Sequence, residues 1–558
     1  MSPILKDNTL VSETVVETKF RELENLDDSK RLEKFKELKV SKGLEEFNSL
    51  KRLKKQIEKA QQLKKFTEVK KFEAEFKNAS KDFFKEYLEE FEERCRAIQG
   101  LADEGRCSLI DLLNKTERDD RERPQIFKYG ADGKLCTENL IGVFEYRTEA
   151  GIETVIIGDR FGPKKVANDG VEGEFLSFFA WAMLEKCWDD TPLWILKESR
   201  ISGETNIFDR ILLLKLAVQM EQAWKKGRFR IYRAFSCYDS RIRGQLDLPR
   251  KIRMSMGLDD GKMAYRVREY SEDNIYNHLF FQACLEAEKR HPEWMRRLRQ
   301  RIPGFRLARQ ALERQNAGWS RGDTRSLLDG TKKKITNPVY RDYETLRVVA
   351  RAVLKRTSHR SYPYAENGAS FVTGVFLDVS KLWEDYLYKA VIHNSSCLAQ
   401  NNADILGGML NVRPDFWWEN KRRVLDAKYR PVWGRILEKA QKKEQASEQD
   451  RKRIRDDVYQ VLTYMLTLDC THGGVIFPVK RKRPTAEPSA DKKNFQHKGF
   501  RAVRKGSPSV SGNPNQSFGL IPFFVPQDEK MTYREFFKAM ELEANKTHEE
   551  LEAFFGTN

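Results

Sequence analysis

The 558-residue sequence lacks the short motifs that mark several common kinds of functional site. Its eight cysteines include no C-x-x-C pair, which argues against a zinc ribbon. Its seven histidines are scattered and form no cluster suited to a histidine–metal site. It has no G-x-x-x-x-G-K-[ST] loop, because the stretch from Gly158 to Lys164 has the wrong spacing. The chain is therefore not expected to be a nucleotide-driven motor.

Long apolar runs are absent as well. A membrane-spanning helix needs about 18 apolar residues, and the run at 211–214 is soon ended by Lys215. The segment 1–7 contains no apolar core of a signal peptide. We therefore expect a cytoplasmic protein with reduced thiols and no membrane partner.

What the sequence has in excess is positive charge. Lys and Arg number 102 and Asp and Glu 84, which gives a formal net charge of +18. Such an excess suits a polyanion, because each phosphate that is neutralised releases counterions. Many basic proteins bind no nucleic acid, so charge alone does not assign this partner. The length and a hydrophobic fraction of 40% predict three or four domains with packed cores.

Hydrophobic periodicity predicts a multidomain α+β protein. Residues 20–99 are highly charged, with apolar residues at helical spacing. This region is either a solvated helix pair with one buried face or a coiled-coil arm that contacts a partner. Strands are predicted at 140–146 and 152–157. The predicted domains are a charged helical, coiled-coil-like arm (1–110), a β-rich region (111–265), a helical linker region (266–365) and a C-terminal α/β domain (366–558) with a basic insertion at 480–517.

Two acidic residues and a lysine form the pattern with the clearest chemistry. Asp415 and Asp426 lie in two predicted strands joined by a polar turn. If residues 420–421 form a two-residue turn between antiparallel strands, Asp415 lies opposite Asp426, with Cβ atoms about 5 Å apart. A three-residue turn would place Asp415 opposite Ala427 instead. Lys428 follows two residues after Asp426 and shares its face of the strand.

This combination fits the hydrolysis of phosphodiesters. Magnesium prefers oxygen ligands, which two converging carboxylates supply. A bound divalent ion activates water and stabilises charge on the phosphate, and a lysine adds positive charge and proton-transfer capacity. An isolated Asp-x-Lys is usually a surface ion pair in so charged a chain. Here Asp426 follows Val424 and Leu425, which indicates a buried strand end, where an uncompensated acid is costly.

Three more residues extend this pattern. Gln460 and Tyr464 are four apart on a predicted helix and share a face. Glu384 lies on a predicted helix at 381–392. It is either a third carboxylate of the site or an ordinary solvated helix residue.

In the order of these residues the sequence resembles the PD-(D/E)XK nuclease superfamily, and Gln460-x-x-x-Tyr464 is similar to the Q-x-x-x-Y motif of its RecB-like branch. More narrowly, the chain resembles the McrC family, the nuclease subunits of McrBC-type modification-dependent restriction systems. This second resemblance rests on four spans: Ile-Arg-Gly-Gln-Leu-Asp at 242–247, Ser-Glu-Asp-Asn-Ile-Tyr-Asn at 271–277, Leu-Asp-Ala-Lys-Tyr at 425–429 and Asp-Val-Tyr-Gln-Val-Leu-Thr-Tyr at 457–464.

The resemblance implies a metal-dependent DNA endonuclease that serves in anti-phage defence. It implies Mg²⁺ or Mn²⁺ as the cofactor, held by Asp415, Asp426 and Glu384. The catalytic set that it implies is Asp415, Asp426, Lys428, Gln460, Tyr464 and Glu384.

The resemblance also implies a partner, a hexameric AAA+ GTPase motor that activates cleavage and whose GTP hydrolysis the chain stimulates. The contact is expected in the β-rich stretch 130–250. Arg241 and Arg243 are candidates for it there, or else ordinary turn charges.

Two regions depart from the minimal family pattern, namely the charged first 110 residues and the insertion at 480–517. Between 480 and 505 the insertion holds ten Lys or Arg against two acids, with Phe495 and Phe500 interleaved. This is either a nucleic-acid contact, in which the rings stack on bases, or a solubilising disordered loop. The nucleic-acid candidates are Lys480, Arg481, Lys482 and Arg483.

Two rival functions remain. One is a RecB-like repair or RNA-directed nuclease with the same centre, and the other is a non-catalytic nucleic-acid adaptor that retains only the fold. The complete set of acid, acid, lysine and glutamine argues against the adaptor. An AAA+ GTPase in the neighbouring reading frame would favour the restriction system over the repair nuclease.

Overall fold

The chain is described from a computed structural model. The structure describes residues 4–6, 16, 19–20, 23–24, 44–62, 66–104, 107–113, 125–129, 135–148, 151–161, 177–188, 207–255, 261–315, 324–357, 371–392, 397–399, 403–405, 410–430, 432–434, 448–481, 517–526 and 531–555. Lys482, Arg483 and nearly all of the basic insertion lie outside these residues. Within them, no helix is both long enough and apolar enough to cross a bilayer.

Helices and several separate sheets alternate along the chain, which confirms the mixed α and β composition. Helices α1 to α14 are Leu44–Gln62, Phe66–Phe83, Lys85–Asp103, Phe178–Cys187, Ile207–Lys225, Leu248–Ser255, Ile275–Arg290, Pro292–Arg301, Pro303–Gln315, Thr324–Gly330, Arg341–Thr357, Val379–Leu387, Glu448–Thr467 and Tyr533–Phe555. Strands β1 to β17 are Ile4–Lys6, Cys107–Asp111, Phe127–Tyr129, Leu135–Thr137, Leu140–Thr148, Gly151–Gly158, Ile231–Asp239, Gln245–Leu246, Met263–Ser271, Phe371–Asp378, Leu398–Ala399, Ala403–Ile405, Leu410–Val412, Phe416–Trp418, Arg423–Ala427, His472–Arg481 and Ser517–Pro526.

The first sheet has the strand order β1-β6-β5-β10-β2. Strands β5 and β6 contain the two strands predicted at 140–146 and 152–157 and form an antiparallel hairpin, with Thr148 paired to Gly151. Strand β10 lies between β5, to which it is antiparallel, and β2, to which it is parallel. Residues 371–378 therefore belong to the same sheet as residues 140–158, although more than 200 residues separate them in sequence.

The charged N-terminal helices bury an apolar side against this sheet. Phe91, Cys95 and Ile98 of α3 lie in one buried cluster with Phe144 of β5 and Phe376 of β10. Burial of such side chains contributes on the order of 1.5–3 kcal/mol each. Helix α3 is thus held to the sheet along a continuous apolar stripe.

The middle of the chain is helical. Helices α5, α7, α8, α9 and α11 pack around one core that includes Leu216, Leu279 and Trp294. A small sheet with the order β7-β9-β8 extends from this core. Most of its side chains are exposed or only half-buried.

The second sheet has the order β11-β14-β15-β16-β17, in which β15, β16 and β17 are parallel. Alternate residues of a strand point to opposite faces. Leu425 of β15 accordingly joins the core shared with α14, whereas Val424 joins the core shared with α13. Asp426 is two residues after Val424 on the same strand, so its side chain also faces α13.

Candidate active site

The hairpin of β14 and β15 has the register predicted from a two-residue turn. Phe416 pairs with Leu425, and Trp418 pairs with Arg423. One step further out, this register sets Asp415 opposite Asp426. The chain reverses through a 3-10 turn at Glu419–Lys421, followed by Arg422, whose φ of 49° lies in the left-handed region. The predicted convergence of the two aspartates is therefore built into this hairpin.

Asp415 lies in a strongly negative environment. Burial raises the pKa of its carboxyl to about 9, with further increases from Asp426 and Glu384. The backbone N–H of Ala427 donates to Asp415 Oδ2 at 2.7 Å and opposes this shift, as does Lys428. Because the carboxylates of Asp426 and Glu384 both disfavour a charge on Asp415, the three acids lie in one small region.

Asp426 and Lys428 form an ion pair inside this region. Asp426 is 1% exposed, and its Oδ2 lies 2.5 Å from Lys428 Nζ, in an arrangement that does not have hydrogen-bond geometry. Lys428 Nζ donates to Gln460 Oε1 at 2.8 Å. Burial is the largest single influence and lowers the pKa of Lys428, but Asp426, with smaller contributions from Asp457 and Asp415, raises it by more in sum, so the pKa lies above its ordinary value. Lys428 therefore stays protonated at neutral pH.

Gln460 and Tyr464 of α13 continue this chain of contacts. Gln460 Nε2 donates to the Tyr464 hydroxyl at 2.7 Å, and that hydroxyl donates to the Arg413 backbone carbonyl at 3.4 Å. Burial raises the pKa of Tyr464, so its hydroxyl remains protonated. The shared helical face predicted for this pair places both side chains beside Lys428 and the segment that leads to Asp415.

Glu384 reaches the site from helix α12, which begins at Val379 rather than at 381 and continues from Tyr388 to Ile392 as a π-helical turn. Asp378 caps this helix by accepting from the backbone N–H groups of Ser380 and Lys381. Glu384 is half-buried, and its charge raises the pKa of Asp415. The structure thus brings all six sequence-predicted residues of the centre together.

One further residue at the site was not assigned a role from sequence. Asp457 is buried, lies 2.9 Å from Arg430 Nη1 and accepts from Trp433 Nε1 at 3.1 Å. Burial raises its pKa, while Arg430 and Lys428 lower it. Its position one helical turn before Gln460, on the same face of α13, is the sequence signal that could have identified it.

The arrangement of these carboxylates bears on metal binding. As the side chains stand, no group of three or more His, Cys, Asp or Glu within the described part of the chain is disposed to hold a metal ion. Asp426 is turned towards Lys428, and Asp415 accepts from the backbone. The donor set nevertheless consists of carboxylate oxygens, which Mg²⁺ and Mn²⁺ prefer. A divalent cation bound among these carboxylates would offset the repulsion between their negative charges.

The other predicted residues lie elsewhere. Arg241 and Arg243 are exposed in the connection between β7 and β8, where Arg243 Nε donates to Tyr265 Oη at 3.1 Å. Lys480 and Arg481 occupy the last two positions of β16, paired with Val525 and Pro526. The structure does not bring the two exposed arginines to the carboxylates.

Comparisons with known proteins place the chain in a family. A half-complex of Thermococcus gammatolerans McrB AAA+ hexamers with bound McrC contains a chain with a TM-score of 0.42 and 14% identity, covering 79% of this chain and 92% of that one. For the Thermococcus gammatolerans McrBC complex the TM-score is 0.31 and the identity 16%, over 54% of this chain and 79% of that one. No curated protein matches. A family model described as McrBC 5-methylcytosine restriction system component matches residues 135–478, more than half of the sequence. The chain belongs to this family of McrBC restriction system components, which confirms the family predicted from its motifs.

Proposed function

We propose that this chain is the nuclease subunit of a McrBC-type restriction system and hydrolyses phosphodiester bonds of DNA with Mg²⁺ or Mn²⁺. The observation that carries the proposal is the convergence of Glu384, Asp415 and Asp426 with Lys428 and Gln460 at the end of β15, the middle strand of the second sheet. These five residues come from α12, the start of β14, the end of β15 and α13, four elements of the fold. A surface ion pair would not require this convergence.

The second sheet with its flanking helices would then be a nuclease domain of the PD-(D/E)XK type. The antiparallel hairpin of β14 and β15 carries the two aspartates, α12 carries Glu384, and α13 supplies the glutamine. Asp415, Asp426 and Glu384 would hold the ion. When bound, such an ion supplies positive charge that activates water and stabilises the charge that develops on the phosphate.

Each of the other residues has a task set by its contacts. Lys428, which stays protonated, presents a compact positive charge to a phosphate oxygen at the edge of the carboxylate group. Gln460 holds the ammonium group through its side-chain oxygen, and Tyr464 holds Gln460. These two hydrogen bonds hold the lysine beside Asp426, where its ammonium group can also contact a phosphate oxygen of the substrate.

An AAA+ GTPase ring is the partner that we propose, with the sheet β7-β9-β8 as the contact surface. Large apolar side chains on this sheet and on helix α6, which follows β8, are exposed to solvent: Ile242, between the two arginines, is 52% exposed, Leu246 of β8 44% and Ile252 of α6 67%. Contiguous exposed apolar side chains mark surfaces that other proteins cover. The family resemblance supplies the identity of the covering partner.

Asp426→Asn tests the nuclease proposal. With duplex DNA, Mg²⁺, GTP and the AAA+ protein encoded beside this chain, we expect the unaltered protein to cut and the variant to lose at least 100-fold in rate, since its ion pair and cation ligand are both lost. Binding of DNA should persist.

Asp469→Asn is the matched control. This carboxylate is exposed, lies in the turn after α13 and has a φ of 50°, which asparagine tolerates well. Equal cutting by Asp426→Asn and Asp469→Asn would refute the assignment of the centre. Cutting that needs neither the motor nor GTP would favour the repair-type nuclease, and absence of cutting with DNA binding intact would favour the adaptor.

A further inference from the structure

The turn that follows β6 makes an unexpected contact with the proposed centre. Asp159, Arg160 and Phe161, which directly follow strand β6 of the first sheet, all contact Tyr429, the residue directly after Lys428. This is the stretch that resembles a phosphate-binding loop only superficially. Its contacts instead join the first sheet to the end of the strand that carries Asp426.

Asp159 fixes the hydroxyl of Tyr429. That hydroxyl donates to Asp159 Oδ1, while the Ser177 hydroxyl donates to Asp159 Oδ2. Ser177 is itself the N-cap of α4, where its oxygen accepts from Ala180 N at 3.1 Å. The carboxylate is therefore anchored between the end of β6 and the beginning of a buried helix, and it offers Tyr429 a rigid acceptor.

Arg160 holds the backbone and the ring of the same residue. It is 5% exposed, and Nη2 donates to the Tyr429 carbonyl and, at 3.4 Å, to Asn139 Oδ1. Its guanidinium carbon lies 4.6 Å from the centre of the Tyr429 ring. Asn139 in turn accepts through its backbone carbonyl from Val379 N at 2.9 Å, at the start of the helix that carries Glu384.

These contacts hold the chain where the sheet no longer does. The register of β15 with β16 ends at Ala427, after which Lys428 N donates to the Ile476 carbonyl at 2.9 Å. Beyond that bond, the Tyr429 ring packs against Phe161, with ring centres 4.7 Å apart. The direction in which Lys428 leaves the strand therefore depends on how Tyr429 is held.

We infer that Asp159 and Arg160 are positioning residues of the nuclease centre, which hold Tyr429 so that Lys428 stays beside Asp426. Arg160 also ties this strand end, through Asn139, to the helix that carries Glu384. The inference rests on the proposed nuclease function. The contacts that hold Tyr429 are made to its hydroxyl, ring and backbone, so both residues act through the chain that they hold.

Arg160→Met, which keeps much of the side-chain length but removes charge and donors, tests this inference in the full chain with its motor, GTP and Mg²⁺. We expect the single-turnover rate of DNA cleavage to fall about 10- to 100-fold, the range typical of residues that orient a metal centre from outside its ligand set. The dissociation constant for DNA should change less than about twofold, because no DNA contact is removed. Arg160→Lys should restore part of the rate, since it keeps the charge but not the planar fork.

Arg351→Met is the matched control. Arg351 is also buried and also donates to a backbone carbonyl, that of Leu328, but it lies in the helical middle of the chain. A general loss of folding would affect both variants alike. Hydrogen exchange of the peptide 423–430, measured without DNA, should accelerate in Arg160→Met and not in Arg351→Met.

The possible results distinguish failure of the positioning role of Arg160 from failure of the nuclease function. Wild-type cleavage and exchange rates in Arg160→Met would overturn the positioning role while leaving the nuclease intact. If the unaltered chain and Asp426→Asn cut equally, the nuclease proposal fails. The exchange measurement then decides alone whether Arg160 holds the strand end, and an unchanged rate overturns that as well.

Discussion

Replacement of Asp415 by asparagine should make the protein more stable while it removes activity. The carboxyl has a pKa of about 9, against an ordinary value of 3.8, because burial and the neighbouring Asp426 and Glu384 disfavour its charge. The folded chain therefore binds this proton more tightly than the unfolded chain does. Below pH 3.8 the group is protonated in both states and costs nothing, and as the pH rises from 3.8 to 9 the free energy of unfolding declines.

The size of this effect follows from the slope of the linkage. Each pH unit inside the window lowers the free energy of unfolding by about 1.4 kcal/mol, so the decline from pH 5 to pH 7 is about 3 kcal/mol. Asparagine does not titrate, and its side-chain oxygen can still accept from Ala427 N. The advantage of Asp415→Asn over the unaltered chain should thus be larger at pH 7 than at pH 5 by about this amount.

Urea unfolding at the two pH values, without divalent ions, measures this difference. Hydrogen exchange of the β15 and β16 peptides assigns the transition to the second sheet. Asp469→Asn, an exposed change of the same chemistry, should show no such difference. Equal effects of Asp415→Asn at pH 5 and pH 7, or a destabilisation that grows with pH, would refute the reasoning about crowded carboxylates.

Three more predictions concern the lysine, the partner surface and the insertion. Lys428→Met should lower the cleavage rate by at least about 100-fold with DNA binding retained, and rates within a few-fold of the unaltered chain would remove Lys428 from the catalytic set. Joint replacement of Arg241 and Arg243 by alanine should weaken stimulation of the motor's GTP hydrolysis, measured by phosphate release. The pH dependence of the free energy of unfolding of the second sheet should stay unchanged. Unaltered stimulation would leave them as turn charges. Deletion of residues 484–516 should flatten the salt dependence of DNA binding if this segment contacts phosphates, whereas an unchanged slope would identify it as a solubilising loop.

The local geometry of the candidate site was readable from the sequence. A hairpin register needs only a turn length and an alternation of side chains, and both are local, so the opposition of Asp415 and Asp426 followed from counting if the turn had two residues, and the structure has the register of that turn. The shared face of Gln460 and Tyr464 followed from helical periodicity in the same way. These inferences required no knowledge of how distant segments pack.

Contacts between distant segments could not be read in this way. The bond from Arg160 to Tyr429 joins residues 269 apart, and no periodicity relates them. The role of Asp457 depends on Arg430 and Trp433, which reach it only after α13 has packed on the sheet. Pairing of β10 with β5 is likewise a choice among many strands, made by the burial of Phe144 and Phe376 rather than by any local signal.

The place of β10 in the first sheet has a consequence for synthesis of the chain. Strands β5 and β6 leave the ribosome long before residues 371–378, and the delay is about 10–40 s at ordinary elongation rates. During that interval the edge of β5 that β10 will cover carries unpaired backbone groups, which are prone to pair with other chains. A fragment that ends before residue 371 would keep that edge permanently, so the N-terminal regions should be expressed together with β10 rather than as a separate piece.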